Sequence, residues 1–284
     1  MEASRGSPES GRIRRWVEAI AFVAIWVAAG ELLDMSANIY LLFGIPLTAG
    51  FQLLVRKKPI KDLWVRDGPA FSLRTVSLRL AIPLAVVPFL HLVVTLLKGQ
   101  ELDSIIYALA AIVGAGAAAY ALGRFRRQTW RCLALCVATA SVVGILLTVD
   151  AAWHDASTIH PTGLRLQPNA LFGLDSLLLY IPALFMIEEV AFRGAIDSHV
   201  RHPGERRDIA STIYGIASAI FVSVLWGLWH HPIVPNATVL QLLIAQVAVG
   251  PFLSLFWRRS GNLMVPGFAH ALNDSVRNAL GLVP

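Results

Sequence analysis

Three short stretches of the sequence place ionisable side chains within apolar surroundings. In chain order they contribute Glu188 and Glu189 with Arg193, then His230, then His270 with Asp274. A carboxylate can take a proton from water, an imidazole can orient that water, and hydrogen-bond donors can stabilise an oxyanion. These residue types therefore indicate a hydrolytic site assembled from three separate segments.

The first stretch predicts different roles for its two carboxylates. Glu189 and Arg193 are four residues apart, so on a helix they can form an ion pair. Glu188 has no such local partner. A charged side chain at the bilayer centre costs at least about 2.5–3.5 kcal/mol and suggests a function. We predict that Glu188 is a general base and that Glu189 is mainly structural.

The third stretch allows two interpretations. His270 and Asp274 are also four residues apart and share one helix face, with Asn273 beside them. They form either a buried hydrogen-bonded pair or half of a catalytic or metal site. His231, next to a proline, is predicted to be interfacial. The sequence contains no GxGxxG, P-loop, His-Glu-x-x-His or Gly-x-Ser-x-Gly motif that would indicate another enzyme class.

The elements that carry these residues are predicted to be transmembrane helices. The 284 residues are 56% hydrophobic and 15% charged, with a mean hydropathy of +0.63. Soluble proteins carry about 25% charged residues. Apolar runs near the length that spans a bilayer must be helical, because lipid cannot pair backbone amides. The runs are 16–33, 38–55, 80–97, 104–122, 132–149, 171–187, 209–229 and 238–257. They predict an all-α, polytopic membrane bundle of about eight or nine helices.

The charge distribution predicts the orientation of the bundle. The net charge is +6, and most of the 24 Lys and Arg residues lie in the N-terminal segment and in alternate connections between the runs. This bias favours a cytoplasmic location for that side, including the N-terminus, and argues against nucleic-acid binding. The basic connector 56–79 is expected to be amphipathic and to lie on the inner surface. A compact helical chain suggests a bacterial plasma membrane.

The ionisable residues divide the chain into two parts. We predict N-terminal helices over 1–170 and a catalytic core over 171–284, within one continuous bundle. The depths of the site residues leave a question open. With a helix beginning near 209, His230 would lie roughly 30 Å along it, whereas Glu188 lies roughly 18 Å from its own boundary. The two would meet only if that helix is tilted or begins later.

The ordered motifs resemble those of a known family. The pattern Glu188-Glu189-x-x-x-Arg193, an aromatic-x-x-x-His ending at His230, and His270-x-x-x-Asp274 is similar to that of the CAAX-protease and bacteriocin-processing family. These intramembrane proteases, also called CPBP or Abi proteins, include the Ras-converting type of CAAX endopeptidase. The resemblance covers roughly residues 175–280. It implies a helical membrane bundle with a catalytic cavity inside the bilayer and peptide substrates near the membrane, which are prenylated in eukaryotic members.

The resemblance also implies a role for each residue. Glu188 matches the essential general base, Glu189 and Arg193 support it, and His230 helps to hold the water. His270 and Asp274 match residues assigned either to the oxyanion or to a metal. A metalloprotease would bind zinc, with a ligand set drawn from Glu188, His230, His270 and Asp274. The metal-free glutamate mechanism is the alternative.

Two positions depart from the family pattern. Trp226 replaces the usual Phe, which we expect to be a modest change between large aromatic residues. Asp274 replaces an Asn found in many members. An ionised Asp only accepts hydrogen bonds. An oxyanion would therefore require a protonated Asp274 or a donor from Asn273, unless the site binds a metal, for which a carboxylate is a suitable ligand.

We predict an intramembrane endopeptidase that acts on membrane-associated substrates, with the bilayer and a peptide as its partners. Two other functions use similar residues. A proton-coupled transporter can also contain buried Glu and His, although no inverted repeat is visible in the sequence. A family-like membrane scaffold without proteolysis is the third possibility.

Overall fold

The computed structural model describes residues 8–99, 102–158, 177–179, 181–183, 185–201, 209–234 and 237–279. We label as α6 the helical residues described between 177 and 200, which include the π-helical segment Val190–Asp197. The other helices are α1 (Pro8–Leu32), α2 (Ala37–Gly50), α3 (Leu78–Leu97), α4 (Leu102–Leu122), α5 (Arg127–Thr158), α7 (Ile209–Trp229), α8 (Val239–Ser260) and α9 (Met264–Ala279). The predicted all-helical bundle is confirmed.

Six helical segments in the described part of the chain are long and apolar enough to cross a membrane. They are Ala37–Val55, Leu78–Leu97, Leu102–Leu122, Arg127–Leu147, Thr212–Trp229 and Val239–Ser260. All six overlap runs predicted from the sequence. About half of the predicted run 171–187 lies outside the described residues. The protein is therefore an integral membrane protein with at least these six candidate spans.

An aromatic cluster holds the end of α7 in place. The Trp229 ring lies 5.1 Å from that of Trp26 in α1 and 5.5 Å from that of Tyr40 in α2. The Tyr40 hydroxyl donates a 2.8 Å hydrogen bond to the Trp229 carbonyl, and Trp26 Nε1 donates to the Tyr40 carbonyl at 2.8 Å. Buried aromatic pairs contribute about 0.5–1.5 kcal/mol beyond the burial of their surface. The N-terminal helices thereby position the segment that carries His230.

The connector 56–79 is not simply a surface segment, as its basic composition led us to expect. Leu63, Trp64 and Val65 in its middle are buried. The Leu63 carbonyl lies so close to Gly194 that a Cβ there would come within 2.6 Å of its oxygen. The amide of Leu263 donates to the Trp64 carbonyl at 2.9 Å. This buried turn contacts α6 and the α8–α9 junction. The basic residues that flank it gave the whole connector the composition of a surface segment.

A polar network fixes the far end of α6 to α8. Arg258 Nε donates a 2.9 Å hydrogen bond to Asp197 Oδ2. Trp257 Nε1 donates to Ser198 Oγ at 2.9 Å. The Asp197 side chain is fully buried and that of Arg258 nearly so. Removing one partner of such a pair would leave an uncompensated buried charge. The network therefore holds α6 in one position along its axis.

Candidate active site

The two adjacent glutamates lie in α6, immediately before its π-helical segment. Glu188 is 7% exposed and Glu189 is 1% exposed, so both carboxylates are buried within the bundle. Segments of π-helix are rare and occur frequently at functional sites. Because a buried carboxylate is costly without partners, the contacts of each glutamate show how the bundle accommodates it.

Glu188 faces α7. Trp226 Nε1 donates a 3.1 Å hydrogen bond to Glu188 Oε2, and His230 Nε2 lies 3.7 Å from the same oxygen. His230 therefore lies beside Glu188, although α7 begins at Ile209 as predicted and not later along the chain. A separation of 3.7 Å is too long for a direct hydrogen bond.

The tautomer of His230 follows from its backbone contact. His230 Nδ1 lies 2.8 Å from the Trp226 carbonyl oxygen. Since a carbonyl only accepts hydrogen bonds, Nδ1 carries the hydrogen, and Nε2 of the neutral ring presents a lone pair. Two acceptors, Nε2 of His230 and Oε2 of Glu188, therefore face each other across the 3.7 Å gap.

Glu189 faces α9 and is enclosed by cationic and imidazole groups. His270 Nδ1 lies 2.9 Å from Glu189 Oε1, and Arg193 Nε lies 3.7 Å from Glu189 Oε2. His270 Nε2 lies 3.4 Å from Asp274 Oδ2. Both ring nitrogens of His270 thus face carboxylates. With Nδ1 donating to Glu189, a further proton on Nε2 or on Asp274 is needed to join the ring and Asp274 by a hydrogen bond.

Trp226 touches both halves of this arrangement. Its ring lies 5.0 Å from the ring of His270 and 5.5 Å from that of His230. The guanidinium carbon of Arg193 lies 4.5 Å from the Trp226 ring centroid, which is a cation–π contact. Phe has no N–H to donate to Glu188, so the indole adds a contact that the aromatic character alone did not predict, and the expectation of a modest change stays a prediction.

Arg193 is fully buried, yet none of its guanidinium nitrogens makes a hydrogen bond with the described residues. Its charge is balanced by the Glu189 carboxylate and the face of Trp226. Gly250 of α8 lies beside Arg193, but it is Ser223 that requires a glycine there, since a Cβ would collide with Ser223 Oγ. Gly250 was missed as a neighbour of the site, and Trp226 was identified only as the aromatic residue of the second motif, because no local pattern relates either residue to Arg193.

A comparison with known protein families finds a match over the part of the chain that contains these site residues. Residues 169–276 match the family model described as Rce1-like, type II CAAX prenyl endopeptidase Rce1-like. This region belongs to the CAAX protease family. The match includes all of the predicted site residues and confirms the resemblance stated from the motifs. No curated protein and no solved structure matches the chain.

Within the Rce1-like region, Asn273 lies apart from the Glu188 contacts. Its side-chain amide is against Gly144 of α5, where any Cβ would collide with Asn273 Oδ1. Its assignment as an oxyanion donor stays a prediction. His231 is about half exposed, and its Nδ1 lies 3.2 Å from Glu31 Oε1. It lies outside the buried arrangement, as its interfacial assignment predicted.

The structure shows whether the predicted zinc ligands lie close enough together to bind one ion. Among the residues that the structure describes, no group of three His, Cys, Asp or Glu side chains is arranged to hold a metal ion. His270 Nε2 faces Asp274, and its Nδ1 faces Glu189. Glu188, His230, His270 and Asp274 therefore do not fit a zinc centre in this arrangement.

Proposed function

We propose that this CAAX-type protease is an intramembrane endopeptidase in which Glu188 and His230 activate water. The observation that carries the proposal is the pair of facing acceptors, Glu188 Oε2 and the bare Nε2 of His230, 3.7 Å apart. Water has two hydrogens and can donate one to each acceptor. Its oxygen lone pair is then free to point at a peptide carbonyl.

Glu188 acts first as a base and then as an acid. As the water oxygen bonds to the carbonyl carbon, Glu188 takes one proton, and the carbonyl oxygen becomes an oxyanion. When the carbon–nitrogen bond breaks, Glu188 returns that proton to the leaving amine nitrogen. The products are a carboxylic acid and an amine, and the carboxylate of Glu188 is regenerated.

The oxyanion would be stabilised from the α9 side. His270 Nε2 and Asp274 Oδ2 lie 3.4 Å apart and can share one proton. When that proton resides on Asp274, the carboxyl group can donate a hydrogen bond to the oxyanion. Asp274 then donates in its protonated form, as the Asn of many family members would through its amide. Glu189 and Arg193 hold His270 and Trp226 in position for this step.

The substrate class and orientation rest on the family and on the charge pattern. The family name points to peptides that end in a prenylated CAAX sequence. A bilayer-embedded site suits a substrate anchored by an apolar group. The basic connections support a cytoplasmic N-terminus in a plasma membrane, where such peptides would be presented.

The test uses full-length protein in proteoliposomes and a fluorogenic peptide carrying a prenylated CAAX end. We expect cleavage by wild type, loss of cleavage by Glu188→Gln, and normal cleavage by Glu31→Gln, a matched change of an exposed carboxylate on α1. The same peptide without the prenyl group tests the substrate class separately. Full activity of a folded Glu188→Gln variant would overturn the mechanism.

A further inference from the structure

A second polar feature lies where α5 begins and α8 ends, and we call this the basic end of the bundle. A surface cavity of about 350 Å³ opens there. No residue of the candidate active site lines it. Its lining consists of three arginines, one amide and two apolar side chains: Arg127, Arg131, Arg259, Gln128, Cys132 and Leu135.

The three arginines of this cavity have no counter-ion within the part of the chain that the structure describes. Arg127 and Arg131 lie four residues apart on α5, where like charges repel, and Arg259 of α8 adds a third positive charge. The side chains of these three arginines make no ion pair or hydrogen bond with the described residues. The adjacent Arg258 differs, because it is bound to Asp197. The cavity therefore concentrates positive charge that its own walls do not neutralise.

The cavity continues into an apolar surface along α5. Leu135 in its wall is 54% exposed, and Val142 and Leu146 farther along the helix are 58% and 63% exposed. Spacings of seven and four residues place the three side chains on one face of the helix. This face belongs to the candidate span Arg127–Leu147 and would contact acyl chains. Cationic and apolar surfaces thus meet at the cavity in the order of a lipid's headgroup and tail.

We propose that this cavity binds the phosphate headgroup of an anionic diacyl phospholipid. The guanidinium groups of Arg127, Arg131 and Arg259 bind the phosphate oxygens, which Arg can do in bidentate geometry. An acyl chain of the same lipid lies along Leu135 and the exposed face of α5. Basic pockets between transmembrane helices at the membrane surface bind such headgroups. The apolar face favours a lipid over a free phosphate or an acidic peptide.

The experiment measures lipid binding by native mass spectrometry of the full-length protein in detergent. Wild type is titrated with dioleoyl phosphatidylglycerol, with dioleoyl phosphatidylcholine and with inorganic phosphate. The test variant is Arg131→Gln with Arg259→Gln. The matched control is Arg74→Gln with Arg79→Gln, which removes two exposed arginines that do not line the cavity. Proteolysis is not needed for the measurement, so its result is independent of the proposed function.

We expect wild type and control to prefer phosphatidylglycerol over phosphatidylcholine. The test variant should bind phosphatidylglycerol about 30-fold more weakly, from about 1 kcal/mol for each arginine near an anionic lipid. A single Gln128→Glu change keeps all three arginines and should still weaken binding about fivefold by adding a negative charge to the wall. This variant tests the site even if the double variant is unstable.

Three outcomes would overturn the proposal. The first is no preference of wild type for the anionic lipid. The second is equal weakening in the control, which would indicate a general effect of net charge. The third is displacement of the lipid by equimolar inorganic phosphate, which would assign the cavity to a soluble anion.

Discussion

Two adjacent carboxylates of α6 lie in opposite surroundings. On the Glu188 side, two acceptors face each other across 3.7 Å, and the tautomer of His230 is fixed by a backbone carbonyl. On the Glu189 side, His270 and Arg193 surround the carboxylate at 2.9 and 3.7 Å. The first side leaves acceptors available to water. On the second side His270 hydrogen-bonds to one carboxylate oxygen, and the charge of Arg193 balances the other, which makes no hydrogen bond with the described residues.

This contrast shows that the partners, and not the residue type, assign the role. A base needs a lone pair that the protein does not consume, whereas a structural carboxylate needs as many donors as possible. Trp226 separates the two sides and contacts both. If the partners assign the roles, changes at Glu188 should affect chemistry and changes at Glu189 should affect stability.

The largest expected effect is on the Glu188 side. Glu188→Gln keeps the size of the side chain and removes the basic oxygen, so we expect kcat to fall by about 10²–10⁴. The thermal unfolding temperature in detergent should stay close to that of wild type. Peptidase kinetics in proteoliposomes check the first statement. A variant that is both inactive and unfolded would not separate the two sides, and Glu188→Asp then provides the second measurement.

The oxyanion assignment predicts the next effect. Asp274→Leu removes the donor, and we expect kcat to fall by about 10²–10³. Asp274→Asn restores a donor through its amide and should retain most of the wild-type activity. Equal loss in both variants would show that the carboxyl group itself is required, as it would be for a metal ligand.

Trp226→Phe tests the connection between the two sides. It keeps a ring beneath Arg193 but removes the hydrogen bond to Glu188. A hydrogen bond to a charged group contributes about 1.5–3 kcal/mol, so we expect kcat to fall by at least about tenfold with little change in KM. The control is Trp130→Phe, at an exposed position on α5. Unchanged kcat in Trp226→Phe would reduce the indole to a packing residue.

A change on the Glu189 side should affect stability more than chemistry. Glu189→Gln leaves the fully buried Arg193 without its carboxylate. Breaking a buried pair costs on the order of 3 kcal/mol. We expect a lower unfolding temperature and a kcat reduced by less than tenfold in the folded fraction. If kcat falls as far as in Glu188→Gln while the unfolding temperature holds, the proposed division of roles is wrong.

The sequence predicted the helices and the motif residues because both are local signals. An apolar run must be helical in lipid, and a Glu or His within one is conspicuous. Contacts between distant residues left no such signal. His270 and Glu189 are 81 residues apart, and nothing local assigns one to the other.

The direction of a side chain was equally hidden. A tryptophan in an apolar run suggests packing, so its indole N–H at Glu188 could not be predicted from residue type. The basic residues around the buried turn of the connector made it look like a surface segment in the sequence. Gly194, which leaves space for the turn, indicates a close backbone contact without identifying its partner. Such a glycine becomes meaningful only when the backbone of Leu63 is seen beside it.

The smallest expected effect is that of metal removal. Dialysis of the purified protein against a strong zinc chelator should leave kcat unchanged, because the derived steps use only side chains of the chain itself. Metal content of active wild type and of the His270→Ala, Asp274→Ala double variant is measured in parallel by mass spectrometry. Stoichiometric zinc in wild type, lost in the variant together with activity, would mean that His270 Nε2 turns from Asp274 to a metal. The Glu189 side would then supply metal ligands, and the roles of the two glutamates would have to be reassigned relative to the ion.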